Sequence, residues 1–241
     1  MDNPFKRKLN EEKMIAEGRM PPGQLLTQKF PVLHYGPLPK VDLGNWTFKI
    51  WGLVEEPLVF DWESFNRLPR IKIIMDIHCV TRWSMFDAGW EGVSIRGLVD
   101  AGILKIKPEA KYTLQHAELG YTTNLPVAVV LQENFLLATH YDGKPLTLEH
   151  GYPLRGVIGS IPQHDDLTTP YFWKGAKWIR GLEFTAEDRP GFWENAGYHN
   201  DADVWKEERR RYSLSALNGE GVNAEPEPSQ QNDAANNAQE G

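Results

Sequence analysis

Cys79 is the only cysteine of a 241-residue chain, and it stands in the stretch DIHCVTRWS, beside His78 and shortly before Arg82 and Trp83. A thiol can serve three ends. It can pack as a small hydrophobe. It can attack an electrophile if a base takes its proton. As a soft, readily ionised thiolate it can bind a metal. The second use needs a histidine within reach. Neighbours on an extended strand point to opposite faces, so His78 is badly placed. The base would have to be His34, His116, His140, His150, His164 or His199. One cysteine excludes an internal disulfide framework and a zinc site of several cysteines. The sequence also has no GxxxxGK[ST] loop, no GxGxxG after a strand, and no HExxH, CxxC or GxSxG.

The elements that must position these groups are partly legible. Ile71, Ile73, Met75 and Ile77 recur at every second residue, which predicts a strand with one face in the core, ending at His78 and a loop that carries Cys79. WTFKIWGLV (46–54) alternates in the same way, and Leu58–Phe60 resumes after Pro57. Asp61 and Ser94 are placed to cap short helices, one stopped before Pro69 and one ended by Gly102. Lys111–His116 reads as a strand with Tyr112, Leu114 and His116 on one side, and Phe135–Tyr141 as another, followed by an Asp142-Gly143 hairpin turn. GYTTNLP (120–126) reads as a polar loop. The segments sort into an N-terminal arm with a short helix (1–24), one domain (25–217) and an acidic, aromatic-free tail (218–241) expected to be disordered.

The net charge of −7 argues against non-specific binding of nucleic acid or anionic lipid. Much of it resides in the tail, which carries Glu220, Glu225, Glu227, Asp233 and Glu240 and no Lys or Arg. No apolar run approaches the length of a membrane span. The first residues lack the apolar core of a secretory signal and the motif of a twin-arginine leader, so a free thiol there predicts the cytoplasm.

Five stretches occur in order: DIHCVTRWS, GYTTNLP, EHGYPLR, YFWKGAKWIRGLEF and DRPGFWENAGYH. Together they resemble the sulfite oxidase family of molybdopterin enzymes, and more narrowly its small, soluble, bacterial-type members. The resemblance covers about residues 25–212. It implies a mixed α+β domain of the sulfite oxidase type, with mixed sheets and short helices, and a molybdenum-molybdopterin cofactor. It casts Cys79 as the metal ligand. It assigns pterin contacts to His34 and Tyr35, to His150 and Arg155, and to Gly175, Ala176 and Lys177, with His116 and Ala117 near a further contact. Arg82 is the candidate for holding an anionic substrate. Arg155 and Lys177 also have a plainer reading as surface cations, and His34 and His116 as core histidines.

For activity, the resemblance implies oxygen-atom transfer on a small sulfur-containing substrate, with electrons passed to a separate redox protein. The sequence VTRW after the cysteine does not reproduce the arginine cluster of sulfite-oxidising members. Reduction of an S-oxide such as methionine sulfoxide is therefore the alternative, and a non-catalytic protein-binding module on the same fold is a third. Neither the haem-binding nor the dimerisation domain of the animal enzymes is expected. SIPQHDDLTT (Ser160–Thr169) reads as an insertion suited to a lid or a partner loop, and Tyr152 stands where a small residue is commoner.

Overall fold

The computed structural model describes residues 4–164 and 166–211. In chain order the elements are α1 (Pro4–Ala16), β1 (Leu25–Leu26), β2 (Thr47–Gly52), β3 (Leu58–Asp61), α2 (Trp62–Asn66), β4 (Ile71–His78), β5 (Trp83–Val93), α3 (Ile95–Asp100), β6 (Tyr112–Ala117), β7 (Thr122–Pro126), α4 (Val127–Val130), β8 (Phe135–Tyr141), β9 (Lys144–Pro145), β10 (Arg155–Ile158), β11 (Ile179–Thr185) and α5 (Phe192–Asn195). The expected tail, 218–241, lies outside the described residues.

The strands form two sheets, and the class is mixed α+β as expected. One sheet runs β3-β2-β11-β6-β7, with β2 and β11 parallel and the other pairs antiparallel. In the other, β5 is the spine. It pairs with β4 along one edge, and on its other edge with the short parallel β1 near one end and with β8 near the other. β10 and β9 extend the sheet from β8.

Alternation along β8 and β10 divides the interior in two. Phe135, Leu137 and Ile158 face the main core, which also holds Phe48, Ile50, Phe65, Leu182 and Phe184. Leu136, Ala138 and Val157 face the other way, into a smaller cluster with Met75, Ile77, Trp90 and Phe172. Arg155 lies two residues before Val157 on β10, so the pleat sends it into this second, aromatic cluster. Both helix caps are as the sequence predicts: Asp61 accepts from the Ser64 amide and Ser94 from the Gly97 amide.

Two expectations are corrected, and one strand is added to the reading. Met75 and Ile77 are buried and Ile74 is exposed, but Asp76 and His78 on the opposite face of β4 are buried as well. Arg19 covers Asp76 with two hydrogen bonds, at 2.7 and 2.8 Å, and Ser160 bridges to its backbone. Next, GYTTNLP is not a loop. Thr122–Pro126 pairs with β6, and Thr123 and Asn124 are buried because side chains from distant segments satisfy them. Finally, Cys79 leads into a tight turn and then into the 11-residue β5. Bulges opposite Met75/Ile77 and at Glu91/Gly92 break the alternation of β5 and hide it from pattern reading. The Ser160–Thr169 stretch is tied down near both ends, by the Asp76 bridge and by Asn134, which donates to the carbonyls of Gly159 and Thr168.

Candidate functional site

Cys79 opens the turn between β4 and β5. Its amide donates to Trp83 O at 2.8 Å and its carbonyl accepts from the Arg82 amide at 3.0 Å. Arg82 closes the turn with φ of 70°, a conformation that non-glycine residues seldom adopt. The Thr81 hydroxyl donates to Sγ at 3.1 Å. The thiol is buried, and burial pushes its pKa above the ordinary value; the Thr81 contacts and the charge of Arg209 offset this only in part. The readily ionised thiolate expected from sequence is therefore not a property of the bare protein. The nucleophile reading also loses its base. His78 is spent on Ser84 Oγ at 2.8 Å and Ser160 Oγ at 3.3 Å, and burial drives its pKa down to about 3. Among the described residues no histidine hydrogen-bonds to Sγ.

Arg155 is 1% exposed, yet its guanidinium meets no carboxylate among the described residues. It donates to the carbonyls of His150 and Gly156 at 3.0 and 3.2 Å and lies over the rings of Phe172, Trp90 and Phe30 at 4.3, 5.7 and 5.9 Å. Burial lowers its pKa to about 9. Lys177 is half-buried, and burial, then the charge of Arg155, pushes it down to about 7, against the pull of Cys79 and Glu149. Its Nζ donates to the Glu149 carbonyl at 2.5 Å. His150 stacks on Phe30 with centroids 4.0 Å apart, leaves Nδ1 without a partner, and is pushed down to about 4 by burial and by Lys177 and Arg155. Buried positive charge without a counter-charge is costly. The set is therefore matched to an anionic ligand, beside a soft sulfur.

Close backbone packing brings these groups together. A Cβ on Gly175 would lie 2.4 Å from the Gly156 carbonyl, so only glycine lets the loop before β11 press against β10. Ala176 follows, 1% exposed, with its carbonyl accepting from the Gly156 amide. His34 is on the rim: its ring meets Trp178 edge-on at 5.5 Å and Nδ1 contacts Gly36 O. Tyr35 is 53% exposed and packs on Phe192 and Trp193. His116 does not join the set. It is bonded to Glu183 at 2.9 Å and tilted against Trp51, both on the β3-β2-β11-β6-β7 sheet. Ala117 is a strand residue paired with Ile179. Arg82 is exposed on the turn, and its charge bears on Tyr171. Tyr152 lies 6.5 Å from the Trp62 ring and packs against the cluster that holds Trp90 and Phe172.

Sequence reasoning missed Arg209, Tyr171 and Gln24. Arg209 bonds the Val80 carbonyl, lies 4.9 Å from the centroid of the Tyr171 ring, and keeps Nε and Nη2 buried without partners. Tyr171 Oη and Trp83 Nε1 are likewise buried and unpartnered. No local pattern marks Arg209, which stands in a run of charged residues, EERRR.

The donor set, a cysteine sulfur with buried cations and unpaired donors, fits molybdopterin with its phosphate. The model of the oxidoreductase molybdopterin-binding domain matches residues 35–193. YuiH of Bacillus subtilis (strain 168), an oxidoreductase, is 46% identical over 194 residues, 80% of this chain and 92% of that one. YedZ1 of Azospira oryzae, a putative protein-methionine-sulfoxide reductase subunit, is 26% identical over 74% of this chain and 64% of its own length. Sulfite oxidase of Arabidopsis thaliana is 22% identical over 68% of this chain, which spans about half of that protein (48%). The sulfane dehydrogenase SoxCD of Paracoccus pantotrophus shares the fold, with a TM-score of 0.53 at 22% identity over 64% of this chain and 41% of that one. This chain belongs to the oxidoreductase molybdopterin-binding domain family and is a molybdopterin-dependent oxidoreductase of the sulfite oxidase-like kind. No helix among the described residues is long and apolar enough to cross a membrane.

Proposed function

We propose that this member of the family carries out oxygen-atom transfer on a small sulfur-containing oxyanion and exchanges electrons with a separate redox protein. The single observation that carries this reading is the convergence of Cys79, Arg155, Lys177 and His150, where no carboxylate among the described residues bonds any of the three nitrogen groups. Molybdopterin, when bound, supplies the oxygen-atom transfer and the two-electron redox change.

The chain's own residues divide the remaining work. Cys79 is the metal ligand, and its sulfur suits a centre already held by sulfur. Coordination overcomes the burial that otherwise keeps the thiol protonated. Arg155 offers a planar fork and Lys177 a point charge to the anionic end of the pterin. His150 offers its free Nδ1, while His34 and Tyr35 form the rim and Gly175 and Ala176 bring backbone close. Arg209 and Arg82, whose charges both act on Tyr171, face the substrate. Their charges surround the turn that bears Cys79, and the unpartnered Nε and Nη2 of Arg209 can each give a charge-assisted hydrogen bond to an oxyanion.

The similarity to YedZ1 favours a second reading, reduction of a methionine sulfoxide type of substrate. That group is neutral and does not call for two arginines. Molybdenum-loaded protein assayed with sulfite and an artificial acceptor, and with methionine sulfoxide and an artificial donor, separates the two. Sulfite turnover abolished by Arg209→Met supports the first reading. Sulfoxide turnover indifferent to Arg209→Met supports the second. Absence of molybdenum after expression in a cofactor-competent host leaves only the binding module. Cys79→Ser tests the metal assignment: pterin content stays, turnover disappears, and the X-ray absorption spectrum loses one Mo–S contact. An unchanged Mo–S count would mean that Cys79 is not a ligand.

A further inference from the structure

The turn that bears Cys79 is clamped from outside the segment matched by the family model, which begins at residue 35. On one side runs β1 with the residue before it. Gln24 is 7% exposed, and its side chain makes two bonds: Nε2 donates to the Cys79 carbonyl at 3.1 Å, and Oε1 accepts from Ser84 Oγ at 3.2 Å. Those two atoms lie on opposite sides of the β4–β5 hairpin, so one planar amide spans the base of the turn. The Leu25 amide then donates to Arg82 O at 2.8 Å and the Thr27 amide to Ser84 O at 2.9 Å. His78 locks Ser84 from behind. Arg19, bonded to Asp76 and Asp87, fixes the segment that leads to Gln24.

We propose that Gln24 is a positioning residue for the Cys79 sulfur. Its amide fixes the peptide plane on the C-terminal side of Cys79, and with it the direction of the Cα–Cβ bond, while the Thr81 hydroxyl, 3.1 Å from Sγ, holds the rotation about that bond. Only a side chain with one donor and one acceptor at this reach makes both amide bonds. Glutamate keeps the shape, cannot donate to the Cys79 carbonyl, and sets a charge against it. The inference rests on the proposed role of Cys79 as metal ligand; the clamp itself is a property of the chain alone.

The test uses the full chain, wild type and three variants: Gln24→Glu, Gln24→Ala and Leu25→Ala. Leu25 is 58% exposed and contributes its backbone to the clamp, so its variant controls for disturbance of β1. In metal-free protein the rate at which iodoacetamide alkylates Cys79 is expected to rise at least tenfold in both Gln24 variants and stay within twofold in Leu25→Ala. In molybdenum-loaded protein the Mo(V) electron paramagnetic resonance spectrum, which reports the orientation of the cysteine sulfur, is expected to shift in the Gln24 variants alone. Alkylation rates and spectra equal to wild type in both Gln24 variants would overturn the proposal. So would equal changes in Leu25→Ala, which would make the effect one of strand packing. If alkylation responds as expected but wild-type protein shows no cysteine–molybdenum contact, the clamp stands as a feature of the turn and the ligand assignment fails on its own.

Discussion

Lys174 and Lys177 stand three residues apart in the stretch before β11, the first buried and the second half-buried, and they live in opposite electrostatic worlds. Lys174 is 1% exposed, and its Nζ is saturated: Asn124 Oδ1, Glu194 Oε1 and the Asn200 carbonyl each lie 2.7 Å away. Its partner Glu194 is fully buried and also receives Thr123 and Trp173. Lys177 bonds one backbone carbonyl, lies 5.7 Å from the centroid of the Trp178 ring and feels a second cation, Arg155, more strongly than it feels Cys79 or Glu149, and no carboxylate among the described residues bonds it. The first is a neutralised pair that pins β7, the loop before β11 and α5 together. The second is an imbalance that the fold sustains and that an anionic ligand would relieve. Burial alone does not separate structural from functional cations; the presence or absence of a counter-charge does.

The largest expected effect is on stability. Lys174→Met strands the Glu194 carboxylate, and breaking a buried pair by removing one partner costs about 3–5 kcal/mol. Urea unfolding of the metal-free protein checks it, and a loss under about 1 kcal/mol would erase the contrast. Arg155→Ala is expected to act on cofactor binding instead. Metal-free protein still folds, the packing lost against Phe172, Trp90 and Phe30 being partly offset by the departure of an uncompensated charge. Cofactor occupancy falls at least tenfold, since each charge-assisted hydrogen bond is worth roughly 1.5–3 kcal/mol. Unchanged molybdenum content in Arg155→Ala would return that residue to scaffolding. Lys177→Met is the mildest and sharpest case. Removing one ammonium weakens the hold on the cofactor severalfold and leaves stability intact, as paired metal analysis and urea unfolding would show. A stability loss as large as that of Lys174→Met would mean that the two lysines do the same job.

The residues that the structure gathers around Cys79 were legible or hidden in the sequence for reasons that differ by residue. Cys79 is unique and stands at the end of a period-2 run, so the strand and its end could be read locally. Arg155 and Lys177 sit in glycine- and aromatic-rich stretches whose order matches a family. The caps Asp61 and Ser94 act within three residues, and local signals of that kind survive folding. Gln24, Arg209 and Asn124 were opaque because their partners lie 55, 129 and 50 residues away. Sequence gives no hint that such groups meet. β7 was mistaken for a loop for the same reason: Thr123 and Asn124 look solvated until Glu194 and Lys174 come to cover them.

β1 is only two residues long, and it pairs in parallel with the strand that leaves the Cys79 turn. An element this short has few bonds to break, so it can open locally while β8, buried along most of its length, stays closed. In hydrogen-exchange terms, the amides of Leu25 and Thr27 are expected in a shallow opening unit and those of Leu136 and Leu137 in a deeper one. The strap beside the sulfur is thus held to the body by a handful of bonds, and the cysteine turn can be uncovered without melting either sheet.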